Sequence, residues 1–101
     1  MPNWIHTKYV FFGETQQITE LTNILQKQQE EPHEEIALSD IVKHFGGDYN
    51  KIACRGYIAE YIQLADSMLE ISVITANCRM HEVWDLVVKR LSGIRYQFCG
   101  G

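Results

Sequence analysis

Apolar and polar residues alternate along two stretches of the C-terminal third, and a helical pattern lies between them. The alternation from Leu69 to Val73 has the two-residue period of a half-buried strand. Apolar residues then recur every three or four positions, as on one face of a helix, at Met80, Val83, Trp84, Val87, Val88 and Leu91. Gly93 ends this helix, and alternation resumes from Ile94 to Phe98. Residues 68–98 are therefore predicted to form strand, helix and strand.

A strand followed by a helix is also predicted near the N-terminus. Residues 4–12 are rich in β-branched and aromatic side chains, and their alternation puts Tyr9 and Phe11 on one face and Lys8 on the other. Gly13 ends this strand. The helix that follows carries one apolar stripe, which consists of Ile18, Leu21, Ile24 and Leu25.

The middle of the chain is predicted to hold a short helical insertion at about residues 30–56. The charged run 30–35 has no apolar period, so we interpret it as an exposed loop. Ser39 is expected to cap a short helix that is closed by Gly46. Residues 57–64 again resemble a strand, although both of its faces are almost entirely apolar.

The predicted order of elements is strand, helix, short helical insertion, two strands, helix and strand. Two β-α-β halves with right-handed crossovers close into a four-stranded antiparallel sheet that has both long helices on one face. The sequence therefore predicts an α+β fold, specifically a ferredoxin-like plait, in a single domain that spans residues 1–101.

Short motifs at three places resemble a known family. They are Pro2-Asn3-Trp4 at the start, Val10-Phe11-Phe12-Gly13 at the end of the first strand, and Val73-Ile74-Thr75-Ala76 before the second long helix. These motifs are similar to those of a family of small uncharacterised proteins from phages, mobile elements and gut bacteria, whose members begin Pro-Asn-Trp or Ala-Asn-Trp. The resemblance implies a ferredoxin-like domain over most of the chain, and it implies no particular activity.

The charge balance and the cysteines narrow the function classes. With 9 basic and 13 acidic residues the formal net charge is −4, which disfavours binding to a phosphate backbone. No apolar run approaches the roughly 18 residues of a membrane-spanning helix, and the first residues lack a signal-peptide pattern. Cys54, Cys78 and Cys99 include no Cys-x-x-Cys pair, so neither a disulfide framework nor a zinc site is indicated. We expect a cytoplasmic protein without a membrane contact and without a cofactor.

Two groups of residues have side chains of the types found in catalytic or metal sites. Cys78 and His81 lie three apart at the expected start of the second long helix, where a helix N-terminus and an imidazole activate a thiol. A half-buried cysteine near a surface histidine explains the same pair without any function. His33 is flanked by Glu30, Glu31, Glu34 and Glu35, but a solvated acidic loop explains that run without a metal. No catalytic or metal site is therefore predicted, and Cys78 and His81 are kept only as candidates.

The apolar surplus of the second predicted strand indicates an interaction surface. If Tyr57 and Tyr61 are buried, then Ile58, Ile62 and Leu64 face outward, whereas burial of the isoleucines exposes the tyrosines. Either arrangement leaves large side chains outside the helix-packed core, on a strand expected at the sheet edge, unless the insertion covers them.

The leading functional hypothesis is a non-enzymatic module that binds a protein, its own copy included. It would use the second strand or the open face of the sheet. Two alternatives stay open. One is a small ligand-binding or enzymatic domain with a pocket near Cys78 and His81. The other is a binder of single-stranded nucleic acid, although the third strand offers no aromatic residue for base stacking.

Overall fold

The computed structural model describes residues 3–29 and 35–100, and within them the chain forms three α-helices and a five-stranded antiparallel sheet. The strand order is β2-β3-β4-β1-β5, and this arrangement confirms the predicted α+β class. The elements in chain order are β1 (Trp4–Gly13), α1 (Thr15–Gln28), β2 (Ile36–Ala37), α2 (Leu38–His44), β3 (Gly56–Ala65), β4 (Met68–Ala76), α3 (His81–Arg90) and β5 (Ile94–Gly100).

The sheet has one strand more than the four that were predicted. The additional strand is β2, in which Ile36 pairs with Ile58 and Ala37 pairs with Tyr57. It occupies the edge position that the prediction gave to β3, so the strand order differs from that of a four-stranded plait. Sequence patterns missed β2 because two residues are too few to show a two-residue period.

The insertion also begins differently from the prediction. Helix α2 starts at Leu38 with Ala37 as its N-cap, so Ser39 lies inside the helix and is not its cap. The helix takes this frame because it buries Leu38 together with Ile41, one turn later on the same face. Gly46, with φ of 75°, follows the end of the helix, as the prediction placed it.

The hydrophobic core lies between the three helices and one face of the sheet. On the two central strands the buried residues alternate, with Tyr9 and Phe11 on β1 and Leu69 and Ile71 on β4. The helices bury their apolar stripes against this face with Ile18, Leu21, Ile24, Leu25, Leu38, Ile41, Val42, Val83, Trp84 and Val87. No helix among the described residues covers the opposite face of the sheet.

Two glycines give a matched test of this packing. A Cβ at Gly13, whose φ is 148°, would lie 2.2 Å from the Gly93 carbonyl oxygen, whereas one at Gly46 would meet only the Arg90 side chain, at 3.9 Å. We expect Gly46→Ala to lower the free energy of unfolding by about 1 kcal/mol through backbone strain alone. Gly13→Ala should lower the free energy of unfolding by about 3 kcal/mol, because steric overlap with Gly93 adds to the backbone strain. Urea denaturation measures both values. Equal losses would contradict the close approach of Gly13 to Gly93.

Candidate functional site

The sheet face opposite the helices is built from alternate residues of the four long strands, and we term it the open face. Strand register places its residues in rows, so that Glu60, Ser72, Lys8 and Cys99 are neighbours across β3, β4, β1 and β5. Its side chains are Trp4, His6, Lys8, Val10 and Phe12 of β1, Tyr57, Glu60 and Ile62 of β3, Met68, Glu70, Ser72 and Ile74 of β4, and Arg95, Gln97 and Cys99 of β5.

Large apolar side chains lie exposed on the open face. Trp4 and Ile62 are each about half exposed, and Met68 is 37% exposed. The Trp4 ring packs beside Tyr57, with ring centroids 6.4 Å apart. Trp4 lies at one end of the face, whereas Ile62 and Met68 lie near the other end. The half-buried Val10 and Ile74 lie between them. Single exposed apolar residues are common on protein surfaces, but apolar side chains along the length of one uncovered sheet face indicate an interaction surface.

Charged residues on the open face are sorted by strand. The carboxylates Glu60 and Glu70 lie on β3 and β4, whereas the bases Lys8 and Arg95 lie on β1 and β5. Lys8 Nζ is 3.7 Å from Glu70 Oε1, and the Arg95 guanidinium lies over the Phe12 ring, 5.2 Å from its centroid. The face is thus electrically balanced, although the whole chain carries a net charge of −4.

A depression of about 370 Å³ lies on the open face where the acidic and basic halves meet. Its polar lining includes Lys8 from β1, Glu60 from β3 and Ser72 from β4. Ile74 adds an apolar wall. His6 and Thr7 also line the depression. The mixture of charged, polar and apolar groups suits an amphipathic side chain such as lysine, whose stem is apolar and whose head is charged.

A β-bulge between Ile58 and Glu60 decides which β3 residues face outward. Ile58 is only 1% exposed and belongs to the core. Beyond the bulge Tyr61 pairs with the buried Ile71 and therefore also faces the helices, where its hydroxyl donates to Gln29 Oε1 at 3.3 Å.

Both arrangements offered by the sequence for this strand are therefore wrong, because each assumed uninterrupted alternation. Ile58 cannot belong to the predicted interface, since the core encloses it, and Tyr61 lies on the helix side. Tyr57 and Ile62 are the two members of the predicted set that the register places on the open face. Leu64, which is 50% exposed, lies at a second irregularity near the end of β3.

Hydrogen bonds between two asparagines hold the start of β1 in place beside the end of β4. The Asn3 N–H donates to Asn77 Oδ1 at 3.1 Å, and the Asn77 N–H donates to the Asn3 carbonyl at 2.6 Å. Asn77 has a φ of 70°, a conformation that asparagine tolerates better than other residues with a side chain. These contacts fix Trp4, the next residue, at the border of the open face.

The structure does not bring Cys78 and His81 together as a reactive pair. Helix α3 begins at His81 with Met80 as its N-cap, so the exposed Cys78 precedes the helix instead of starting it. The turn that delays the helix is held by Thr75, whose hydroxyl donates to the Cys78 carbonyl at 2.7 Å. Among the described residues no hydrogen bond joins the Cys78 thiol to His81, whose Nδ1 lies 3.0 Å from the Tyr9 hydroxyl.

Tyr9 anchors α3 to the sheet. Its ring is fully buried beside His81 and four other rings, those of Phe11, Trp84, Tyr96 and Phe98. Burial raises the pKa of Tyr9 to about 12, the positive charge of Arg79 lowers it in part, and Asp85 raises it further. The phenol therefore keeps its proton at neutral pH. Because a buried O–H left unpaired is costly, we assign it as the donor to His81 Nδ1.

The acidic loop predicted at residues 30–35 falls almost entirely outside the described part of the chain. Its residues Glu30, Glu31, His33 and Glu34 lie outside the described residues, and Glu35 is exposed. Within ranges 3–29 and 35–100, no group of three or more potential metal ligands occurs. In the same ranges, no helix is long and apolar enough to span a membrane.

Comparisons with protein-family models, with curated proteins and with solved structures find no match for this chain. The resemblance noted in the sequence motifs stays a prediction. The function proposed below is therefore inferred from the geometry of the open face.

Sequence reasoning named the open face as a possible binding surface but missed its main residues on β1 and β4. The signal was present, because the alternation that sets Lys8 opposite Tyr9 also puts Trp4 and Phe12 on the side of Lys8. Glu70 was not identified as a partner of Lys8, since pairing between distant strands depends on the register and not on local pattern.

The raised pKa of Tyr9 predicts a loss of stability at alkaline pH. An unfolded tyrosine has a pKa of 10.0 and folded Tyr9 about 12. Between these values the unfolded chain has released a proton that the folded chain retains, so the free energy of unfolding falls as pH rises. Across this range of pH, Tyr9 alone should lower the free energy of unfolding by about 3 kcal/mol. Urea denaturation at pH values from about 9 to about 12 measures it.

Tyr9→Phe should reduce this alkaline loss, because phenylalanine has no proton to release. Tyr49→Phe is the matched control, since Tyr49 is 47% exposed and lies outside the aromatic cluster. Burial and the hydrogen bond to Asp85 also raise the pKa of Tyr96, so part of the loss should persist in both variants. The same alkaline loss in Tyr9→Phe as in Tyr49→Phe would show that Tyr9 titrates as an exposed tyrosine.

Proposed function

We propose that this protein is a non-enzymatic protein-interaction module that binds its partner through the open face. One observation carries the proposal: a whole sheet face with exposed Trp4, Ile62 and Met68 is covered by no described helix. Removing such apolar surface from water contributes a favourable free energy of about 25 cal/mol for each Å² that is buried. Binding another protein chain achieves this burial.

We also propose that the fold is a ferredoxin-like plait with an insertion. Without β2, the long strands have the order β3-β4-β1-β5, which two interlocked β-α-β halves produce. Helix α1 then connects the first two long strands and α3 connects the last two. Strand β2 and helix α2 belong to an insertion that extends the sheet beyond β3.

The other two functions are supported less well. Binding of a single nucleic-acid strand to the open face would bring phosphates close to Glu60 and Glu70, which repel them. A ligand site near Cys78 and His81 is less well supported because, among the described residues, no hydrogen bond joins the Cys78 thiol to His81. Two depressions of the described surface, of about 370 and 490 Å³, are lined by other residues.

Site-specific photocrosslinking in the cells that express the protein tests the proposal. A photoreactive amino acid at position 62 lies on the open face, whereas one at position 26 lies on the exposed side of α1. We expect a covalent adduct with a protein from position 62 and none from position 26, because only the open face is buried by a partner. Equal adducts from both positions, or none from position 62, would rule out the open face as the binding surface.

A further inference from the structure

We infer that the partner of the open face is a second copy of this chain, in a symmetric dimer whose twofold axis runs parallel to the strands. This inference rests on the proposed function, because it names the occupant of that surface. Three properties of the face support it: its area, its charge balance and the register between β1 and β4.

The area of the open face suits a small dimer. Four long strands spaced about 4.8 Å apart, each with about nine residues at 3.4 Å, form a face of roughly 600 Å². Two copies would therefore bury roughly 1,200 Å², which is at the lower end of the range for specific protein interfaces. The balance of Lys8 and Arg95 against Glu60 and Glu70 lets two such faces meet, even though each chain has a net charge of −4.

The distribution of charge selects the symmetry axis. Two sheets that pack face to face can be related by a twofold axis perpendicular or parallel to their strands. A perpendicular axis sets each strand over the same strand of the second copy. The acidic strands β3 and β4 then lie over acidic strands. An axis parallel to the strands sets β3 and β4 over β5 and β1, so that the strands with carboxylates lie over the strands with bases. Like charges in apposition weaken association, and the parallel axis avoids this repulsion.

The register then identifies the contacts that determine the orientation. With the axis between the central strands β1 and β4, Lys8 lies over Ser72 of the second copy, its own register partner. The small Ser72 side chain leaves space, and the depression beside it is also lined by Glu60. Glu70 is the next open-face residue along β4. Lys8 thus exchanges its contact with Glu70 in its own chain for carboxylates of the second copy.

Charge reversal with complementation tests the dimer and its axis together. Sedimentation equilibrium of the purified full chain gives the dimer Kd. We expect Lys8→Glu and Glu70→Lys each to raise this Kd by at least about tenfold, because two like-charge contacts arise in each homodimer. An equimolar mixture of the two variants should return to within about threefold of the wild-type Kd, since opposite charges then meet at both contacts.

Lys27→Glu and Glu20→Lys are the controls. Both residues are exposed on α1, and these variants make the same changes in net charge away from the open face. We expect the dimer Kd to stay within about twofold of wild type in each, since electrostatic repulsion between whole chains is largely screened by salt.

Each other outcome overturns a distinct part of the inference. A wild-type dimer with a Kd that Lys8→Glu does not change would place the dimer interface elsewhere. Weakening by both variants without recovery in the mixture would exclude the axis parallel to the strands. A wild-type chain that stays monomeric excludes the second copy. In that case an adduct of position 62 with a different protein would still support the proposed function, whereas no adduct would end both proposals.

Discussion

The antiparallel pairing of β1 with β4 is the constraint on which the rest of the structure depends. The two strands run together from the pair of Trp4 and Ala76 to the pair of Phe12 and Met68. Because side chains alternate between faces, this one register sends Tyr9 and Ile71 into the core. A slip by one residue would exchange the two faces completely. The core and the proposed binding surface are therefore two consequences of the same set of backbone hydrogen bonds.

The helix-facing side of this register is stabilised by aromatic packing around Tyr9. The ring centroids of Tyr9 and Trp84 are 5.5 Å apart, and the Tyr9 hydroxyl contacts His81 at the start of α3. The buried hydroxyl thus has a structural role, because it satisfies its own hydrogen-bonding need while it fixes where α3 begins. His81 is consequently explained by the packing of α3, without any reactive partnership with Cys78.

On the open face the energetic roles of apolar and charged residues differ. The ion pair between Lys8 and Glu70 is long and partly exposed, so it adds little to the stability of the single chain. Its side chains are therefore available to a partner at small cost. In the proposed complex, burial of residues such as Trp4 and Ile62 would supply the favourable free energy of association, while the charges would discriminate between orientations. This division of roles would make a mixed apolar and charged surface specific.

Local pattern predicted the long elements well because each depends on residues close in the sequence. The alternation of β1 and β4 and the apolar stripes of α1 and α3 identified these strands and helices and most of the core. Strand β2 was not predicted because two residues are too few to show an alternating pattern. The start of α3 was predicted too early because a turn held by Thr75 and Asn77 delays the helix beyond Cys78.

The composition of the sheet faces was determined partly by sequence and partly by tertiary structure. The sequence by itself determined that Tyr9 and Phe11 share one face of β1 and that Lys8 lies on the other, since alternation is a property of any extended chain. Only the tertiary structure decided that Ile58 and Tyr61 lie on the same side of β3, because the bulge exists through pairing with β4. It also decided that Lys8 lies beside Glu70, because strand register is set by contacts between residues far apart in the chain.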